Sequence, residues 1–416
     1  MRTLGLEVRT RQTQGRETPS PVGRKTGVVS TMAGTKALLT LENFINGKFV
    51  PCSSYIDSYD PSTGEVYCRV PDSGNEEIEA AVEAARAAFP GWSARSPQER
   101  SQVLHRLADL LEKSLEDLAQ AESRDQGKTI TLARTMDIPR SVQNFRFFAS
   151  SILHHTSECT HMDHEGCLHY TLRAPVGIAG LISPWNLPLY LLTWKVAPAI
   201  AAGNTVIAKP SELTSVTAWM MCKLLETAGV PPGVVNIVFG TGPKVGEALV
   251  SHPEVPLISF TGSQPTAERI AQLSAPHCKK LSLELGGKNP AIIFEDANLE
   301  ECIPTTVRSS FANQGEICLC TSRIFVQKSI YSEFLKKFVA ATRMWKVGIP
   351  SDPSASIGAL ISKAHLEKGS TPKMLFPLPH HVSTCCCLWS LSCLWSPLPR
   401  VERPSGGLTF PPLVKP

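Results

Sequence analysis

A cysteine that ends the polar, glycine-containing loop Asn313-Gln314-Gly315-Glu316-Ile317-Cys318 could act as a thiolate nucleophile. Thirty-four residues before it, Glu284 closes an apolar run and opens Glu284-Leu285-Gly286-Gly287-Lys288, where its carboxylate could serve as a general base. Cys320, two residues on, competes for the nucleophile's role, and a solitary cysteine is more often a small buried apolar residue. A third group is Asn186 in Ser183-Pro184-Trp185-Asn186-Leu187-Pro188. Two prolines bracket it in what reads as a rigid turn, and a side-chain amide suits an oxyanion that develops on a carbonyl under attack. A bracketed Asn is nonetheless more often a plain turn residue.

Two further segments suit a nucleotide. In Ala208-Lys209-Pro210-Ser211-Glu212 a strand-end lysine can reach a ribose or phosphate, and the acid can hold ribose hydroxyls. Val206 to Lys209 also mimics the strand lysine of protein kinases, but no HRD or DFG segment follows. Phe260-Thr261-Gly262-Ser263 runs into a helix whose first N–H groups could receive a pyrophosphate, with Gly262 permitting close approach. A simple strand-to-helix turn explains it equally well.

These residues need a frame that brings strand ends together. From Gly177 the chain alternates short apolar runs with amphipathic stretches. Strands are expected at 177–183, 205–208, 234–239, 257–260 and 280–283, with helices at 189–202, 214–228, 244–251 and 265–273 between them. Earlier, 76–88 and 98–121 read as helices, the second opened by Ser96-Pro97. Continuous apolar strands separated by helices specify a parallel sheet covered on both faces, and such sheets bind ligands at the carboxyl ends of their strands. No GxGxxG is present. The expectation is α/β with a Rossmann-type parallel sheet.

In order and spacing, these segments resemble the aldehyde dehydrogenase superfamily over about residues 38–368. Pro184-Trp185-Asn186 is similar to its oxyanion motif, Lys209-Pro210-Ser211-Glu212 to its adenosine-ribose motif, and Phe260-Thr261-Gly262-Ser263 to its pyrophosphate turn. The resemblance selects Cys318 over Cys320 as nucleophile and implies Glu284 as general base and Asn186 as oxyanion donor. It implies NAD as cofactor, with contacts from Ser183, Trp185, Lys209, Ser211, Glu212, Gly242, Phe260, Thr261, Gly262, Ser263 and Leu285. Glu212 would repel the 2′-phosphate of NADP. Relatives often carry a second glycine where this chain has Ala267, a change of modest consequence. The implied reaction oxidises a small-molecule aldehyde, a carboxylated semialdehyde or retinal, to its acid. Arg140 is the candidate partner for a substrate carboxylate.

The resemblance also divides the chain. Residues 1–31 are expected to be a disordered extension, 32–285 the NAD-binding domain with a bridging ribbon at about 156–176, and 286–368 a partial catalytic domain. Residues 369–416, with nine prolines and the run Cys385-Cys386-Cys387, read as a non-homologous tail. The family's nicotinamide-ribose segment Glu-Ile-Phe-Gly-Pro and its dimer-forming strand do not occur, so the expected fold is α/β with an incomplete catalytic domain. The family's homo-oligomer is left open. A catalytically inactive chain that at most binds nucleotide or partners is the alternative expectation.

Composition narrows the rest. The 416 residues carry a formal charge of +4, and the two termini hold more than that, leaving a mildly acidic middle with no call for nucleic acid. No apolar run spans a membrane, and the N-terminus, though Arg-rich, lacks a secretory core, so a cytoplasmic location is expected. Thirteen cysteines without regular spacing read as reduced thiols. His154, His155, Cys159, His161, His164, Cys167 and His169 lie close together, but their spacing fits no zinc pattern, and no metal is expected.

Overall fold

The computed structural model describes residues 38–369, which open on five short strands. These are β1 (Leu39–Thr40), β2 (Asn43–Ile45), β3 (Lys48–Val50), β4 (Tyr55–Tyr59) and β5 (Val66–Pro71). β2 and β3 are joined by Asn46-Gly47 with φ of 52° and 75°, the left-handed pair that a tight hairpin requires. Three helices follow: α1 (Asn75–Ser93), α2 (Pro97–Lys113) and α3 (Leu115–Gln126). Ser96 caps α2 through Glu99 N, as its Ser-Pro start suggested, and the Glu99 carboxylate adds a return bond to Ser96 N.

The helix expected over 98–121 is in fact two. Ser114 ends α2 and starts α3, with φ −96° and ψ 13°. The break reorients the chain so that Glu122, Ser123, Asp125 and Gln126 turn inward, and all four are buried. Gly127, at φ 89°, closes α3 in the left-handed conformation typical of a helix C-terminus. A short turn α4 (Ile130–Leu132) widens through Ala133–Asp137 into α5 (Ile138–Ser151). A ribbon of β6 (Cys159–Met162) and β7 (Cys167–Tyr170) then stands out from the body, largely exposed.

The alternating region matches its expected order: β8 (Ile178–Ile182), α6 (Pro188–Ala201), β9 (Thr205–Lys209), α7 (Val216–Ala228), β10 (Val235–Ile237), α8 (Glu247–Ser251), β11 (Leu257–Gly262), α9 (Gln264–Ser274) and β12 (Lys280–Leu285). β13 (Asn289–Ile293), α10 (Leu299–Phe311), β14 (Thr321–Val326), α11 (Tyr331–Arg343) and α12 (Lys363–Gly369) complete the described residues. One sheet runs β12-β11-β8-β9-β10-β2-β3, parallel from β12 through β10, with β2 and β3 antiparallel at one edge. Every residue of β8, β9 and β10 is buried, as a sheet covered on both faces demands.

Two apolar cores lie on the two faces. One joins the sheet to α1, α8 and α9 through Ile78, Val82, Leu249, Ile270 and their neighbours. The other joins it to α2, α3, α5, α6 and α7 through residues such as Leu104, Leu118, Phe145, Leu192 and Met221. A third core, with Phe311, Phe334 and Phe338 at its centre, packs α10 and α11 against the parallel pair β13–β14. The outer face of that pair leaves Ile292 and Phe294 exposed.

Gly233 carries φ +81° just before β10, and a Cβ there would lie 2.4 Å from the Ala84 carbonyl of α1. Gly64 carries φ +73° with nothing within 4 Å. Gly64→Ala should therefore cost only the backbone penalty, roughly 1–2 kcal/mol. Gly233→Ala must also push α1 off the sheet, and should cost more than about 3 kcal/mol. Denaturant unfolding of the two variants checks the difference.

Candidate active site

Connectivity fixes where the chemistry gathers. From β8 the chain winds outward through β9 and β10, then returns to the other side of β8 for β11 and β12. The order reverses between β8 and β11, and the crevice at the carboxyl ends of such a pair is where open sheets hold ligands. The loop Ser183–Asn186 leaves β8 there, and Gly262-Ser263 leaves β11 beside it. Lys209 ends β9 in register with Ile182, and Glu284 faces Thr261 near the end of β12. Four of the five segments read from the sequence thus reach one rim.

Asn186 is fixed from two sides. Its backbone carbonyl accepts from Lys128 Nζ at 3.1 Å and from Asn313 Nδ2 at 3.0 Å. Its own side-chain Nδ2 donates to the Glu316 carbonyl at 2.7 Å. The asparagine loop and the cysteine loop are therefore interlocked two residues from Cys318. That second loop is wound tightly: Asn313, Gln314 and Gly315 have φ of 54°, 60° and 78°. Three consecutive left-handed residues, one of them Gln, are costly and persist only where surrounding contacts hold them. Asn289 Nδ2 supplies one such contact, donating to the Cys318 carbonyl at 2.6 Å and the Cys320 carbonyl at 3.1 Å. Cys318 itself is exposed, whereas Cys320 is buried and its thiol is pushed up to about 11 by that burial. Only Cys318 of the two is accessible to a substrate.

Glu284 occupies the edge strand with its side chain exposed. Among the described residues, no hydrogen bond or ion pair joins it to Cys318. Its charge is felt instead by Lys195 of α6, whose Nζ donates to Ser259 Oγ of β11 at 3.0 Å. Burial lowers Lys195 to about 8, and the Glu284 carboxylate opposes that fall. Sequence reasoning passed over Lys195, because a lysine nine positions after Asn186 on an apolar helix carries no motif of its own.

The nucleotide segments are equally organised. Lys209 Nζ is buried, bonded to the Pro210 and Gly240 carbonyls and paired with Glu212 at 3.2 Å. The Glu212 side chain keeps about a third of its surface in solvent (33%), so the pair presents an acid at the rim and hides its cation. At Gly262 an added Cβ would strike the Phe260 ring at 2.4 Å. Ser263 caps α9, its Oγ accepting from Thr266 N. Gly242 starts the wide turn before α8, with no atom within 4 Å of where a Cβ would stand. Ser183 is buried at the end of β8 and its Oγ finds no partner among the described residues. Trp185 stands edge-on to His365 at 4.7 Å, while Thr261, Ser211 and Leu285 complete the strand ends. Ala267 is buried in the core beneath α9. Arg140 of α5 is exposed and lies over Tyr190, four residues after Asn186, with its guanidinium 5.4 Å from the ring centre.

Glu316 is the second residue missed. Its carboxyl is buried, accepting from Gln126 Nε2 at 3.0 Å and from the Ile361 backbone, with Oε1 otherwise unpartnered. Burial pushes it up to about 8, against the smaller opposing effects of those bonds and of Lys128. A glutamate in a polar loop gives no sequence signal of burial.

Residues 49–371 match the aldehyde dehydrogenase family. The chain is 90% identical over 337 residues to 2-aminomuconic semialdehyde dehydrogenase of Bos taurus, spanning 81% of this chain and 69% of that protein. It is 43% identical over 335 residues to 2-hydroxymuconic semialdehyde dehydrogenase of Pseudomonas, spanning 79% and 69%. Among solved structures, it is similar to a putative aldehyde dehydrogenase of Burkholderia cenocepacia, with 41% identity, a TM-score of 0.77, and 80% and 68% of the two chains covered. The NAD+ complex of a Bacillus cereus aldehyde dehydrogenase gives 37% identity, a TM-score of 0.77, and 79% and 68% coverage.

The Glu316 environment predicts a pH dependence. A carboxyl raised in the folded state binds its proton more tightly there than in the unfolded chain, so stability falls as pH rises from the unfolded value towards about 8. Glu316→Gln removes this loss. Its stability relative to the parent should grow between about pH 5 and pH 8, by a kcal/mol or more on the order of magnitude set by linkage. Unfolding midpoints at a series of pH values check it; parallel curves would contradict it.

Proposed function

This chain belongs to the aldehyde dehydrogenase family, and we propose that it oxidises an aldehyde to a carboxylic acid with NAD, using Cys318, Asn186 and Glu284. The observation that supports the reading is the interlock of the two loops, which ties Asn186 to the backbone two residues before Cys318, the one accessible thiol of the pair Cys318 and Cys320. Cys318 as thiolate attacks the aldehyde carbonyl, and the oxygen gains negative charge as the S–C bond forms. An Asn186 N–H and the Cys318 backbone N–H take that charge, each donor typically worth about 3–4 kcal/mol. When bound, NAD supplies the hydride acceptor that turns the adduct into a thioester. Glu284 removes a proton from the water that then releases the acid, and exposure on the edge strand gives it access to that water.

The rim suits a dinucleotide. Lys209, Ser211 and Glu212 would hold the adenosine ribose, with the partly exposed Glu212 carboxylate disfavouring a 2′-phosphate. Thr261, Gly262 and Ser263 at the start of α9, with Gly242 opposite, would receive the pyrophosphate, where helix N–H groups favour anions. Ser183, Trp185, Phe260 and Leu285 would flank the nicotinamide end, and the unpartnered Ser183 Oγ is a ready donor there.

For the substrate we infer a semialdehyde that carries its own carboxylate, the class in the names of the relatives above. Arg140, exposed beside the start of α6, supports this: its fork can bind a carboxylate in two places. The nine described cysteines are all free, which favours a reducing compartment such as the cytoplasm. Among the described residues no helix is long and apolar enough to cross a membrane.

Purified chain with NAD and a carboxylated semialdehyde should form NADH, and Cys318→Ala should form none while NAD still raises its melting temperature. Asn186→Ala should lower kcat by about 10²–10³-fold. Turnover that survives Cys318→Ala would overturn the assignment. Arg140→Leu should raise KM for the carboxylated substrate by roughly tenfold or more and leave an uncharged aldehyde unaffected.

A further inference from the structure

The ribbon β6–β7 assembles a chemistry that the aldehyde site does not use. Seven histidines and cysteines fall between His154 and His169, and spacing alone does not select among them. The hairpin does. Directly paired residues of antiparallel strands share a face. Pairing of Met162 with Cys167 and of Thr160 with His169 sets Cys167 and His169 on one face. Pairing of His161 with Leu168 and of Cys159 with Tyr170 sets His161 and Cys159 on the other. There His161 is engaged by Asp163 at 2.8 Å. Glu165, two residues before Cys167, brings its carboxylate from the turn to the Cys167 face.

The three ligand atoms lie within 4.8 Å of one another. Cys167 Sγ is 3.2 Å from His169 Nε2 and 3.7 Å from Glu165 Oε2. A tetrahedral zinc ion with sulfur at about 2.3 Å and nitrogen or oxygen at about 2.0–2.2 Å requires ligand-to-ligand edges of roughly 3.3–3.6 Å. The two sulfur edges fall on either side of that range, so an ion fits with small rotations of exposed side chains. One thiolate, one imidazole and one carboxylate also form a borderline-soft set that suits zinc better than calcium or magnesium.

We propose that Glu165, Cys167 and His169 form a zinc site, closed by three protein ligands and one water. Zn²⁺ displaces the thiol proton of Cys167 to solvent, so binding tightens as pH rises. All three ligands come from one hairpin, and the ion clips the turn to β7. The inference stands apart from the aldehyde reaction and does not depend on it.

The test is zinc titration of the purified full chain against a chromophoric chelator, with Co²⁺ as a spectroscopic probe. The expected result is one ion per chain, with a thiolate-to-cobalt charge-transfer band. Cys167→Ser and His169→Ala should each weaken binding at least about a hundredfold, and Glu165→Gln about tenfold. Cys318→Ser and Cys278→Ser should leave it unchanged. Circular dichroism of the Cys167→Ser chain confirms that this half-buried hairpin position was altered without loss of the fold. Absence of binding, binding that survives Cys167→Ser, or binding lost with Cys318→Ser would each overturn the site.

Discussion

Beneath the Asn186 loop sits a lysine with no exposed surface. Lys128 forms an ion pair with the equally buried Asp137 and donates its remaining reach to the Asn186 carbonyl. Removing two charges from water costs several kcal/mol per ion, and such a pair is weak evidence for stability by itself. What it does supply is direction. Lys128 follows the left-handed Gly127 that ends α3, and Asp137 closes the wide turn before α5, so the pair pins both elements to the loop that carries Asn186.

The same helix α3 anchors the sheet's crossover helices. Glu122 accepts from Leu189 N at the start of α6 and from Thr217 Oγ1 in α7. Asp125 accepts from Val216 N, the first residue of α7, and from the Tyr67 hydroxyl. Each carboxyl meets a helix N-terminus, where negative charge is favoured. Burial nonetheless pushes both up to about 7, and Lys128 opposes the rise at Glu122. Lys128, Asp137 and Glu122 therefore feel one another's charge in one buried region, and the loop between β8 and α6 inherits its position from them through Lys128 and Glu122. The interlock with Asn313 and Glu316 passes that position on to Cys318.

Much of this frame was legible in the sequence. From Gly177 to Glu284 the alternation of apolar strands and amphipathic helices is nearly uninterrupted, because strands covered on both faces are built mostly of apolar residues and admit a polar one only where it finds partners. The strand-end segments were legible for a related reason: a parallel sheet puts its chemistry where the apolar runs stop. What was hidden were side chains whose environment comes from distant segments. Glu122 and Asp125 sit three apart on a charged helix and look like a solvated face, and only the break at Ser114 turns them inward. Lys128, Asp137 and Glu316 read as ordinary surface charges. The left-handed run at Asn313 and Gln314 could not be foreseen, since only the glycine after it signals that conformation. Glu165 escaped notice as a ligand because a search of histidines and cysteines by linear spacing ignores the register of a hairpin.

The Lys128–Asp137 pair thus serves orientation of Asn186 more than stability. Removing one partner leaves a bare buried charge, which typically costs about 3–5 kcal/mol, whereas replacing both with apolar side chains is often neutral. The decisive measurement is kcat and unfolding free energy of the chain carrying Lys128→Met together with Asp137→Leu. Stability near that of the parent, KM little changed and kcat lowered at least about tenfold are expected, in line with partial loss of the oxyanion donor proposed at Asn186. A doubly substituted chain with full kcat would contradict it.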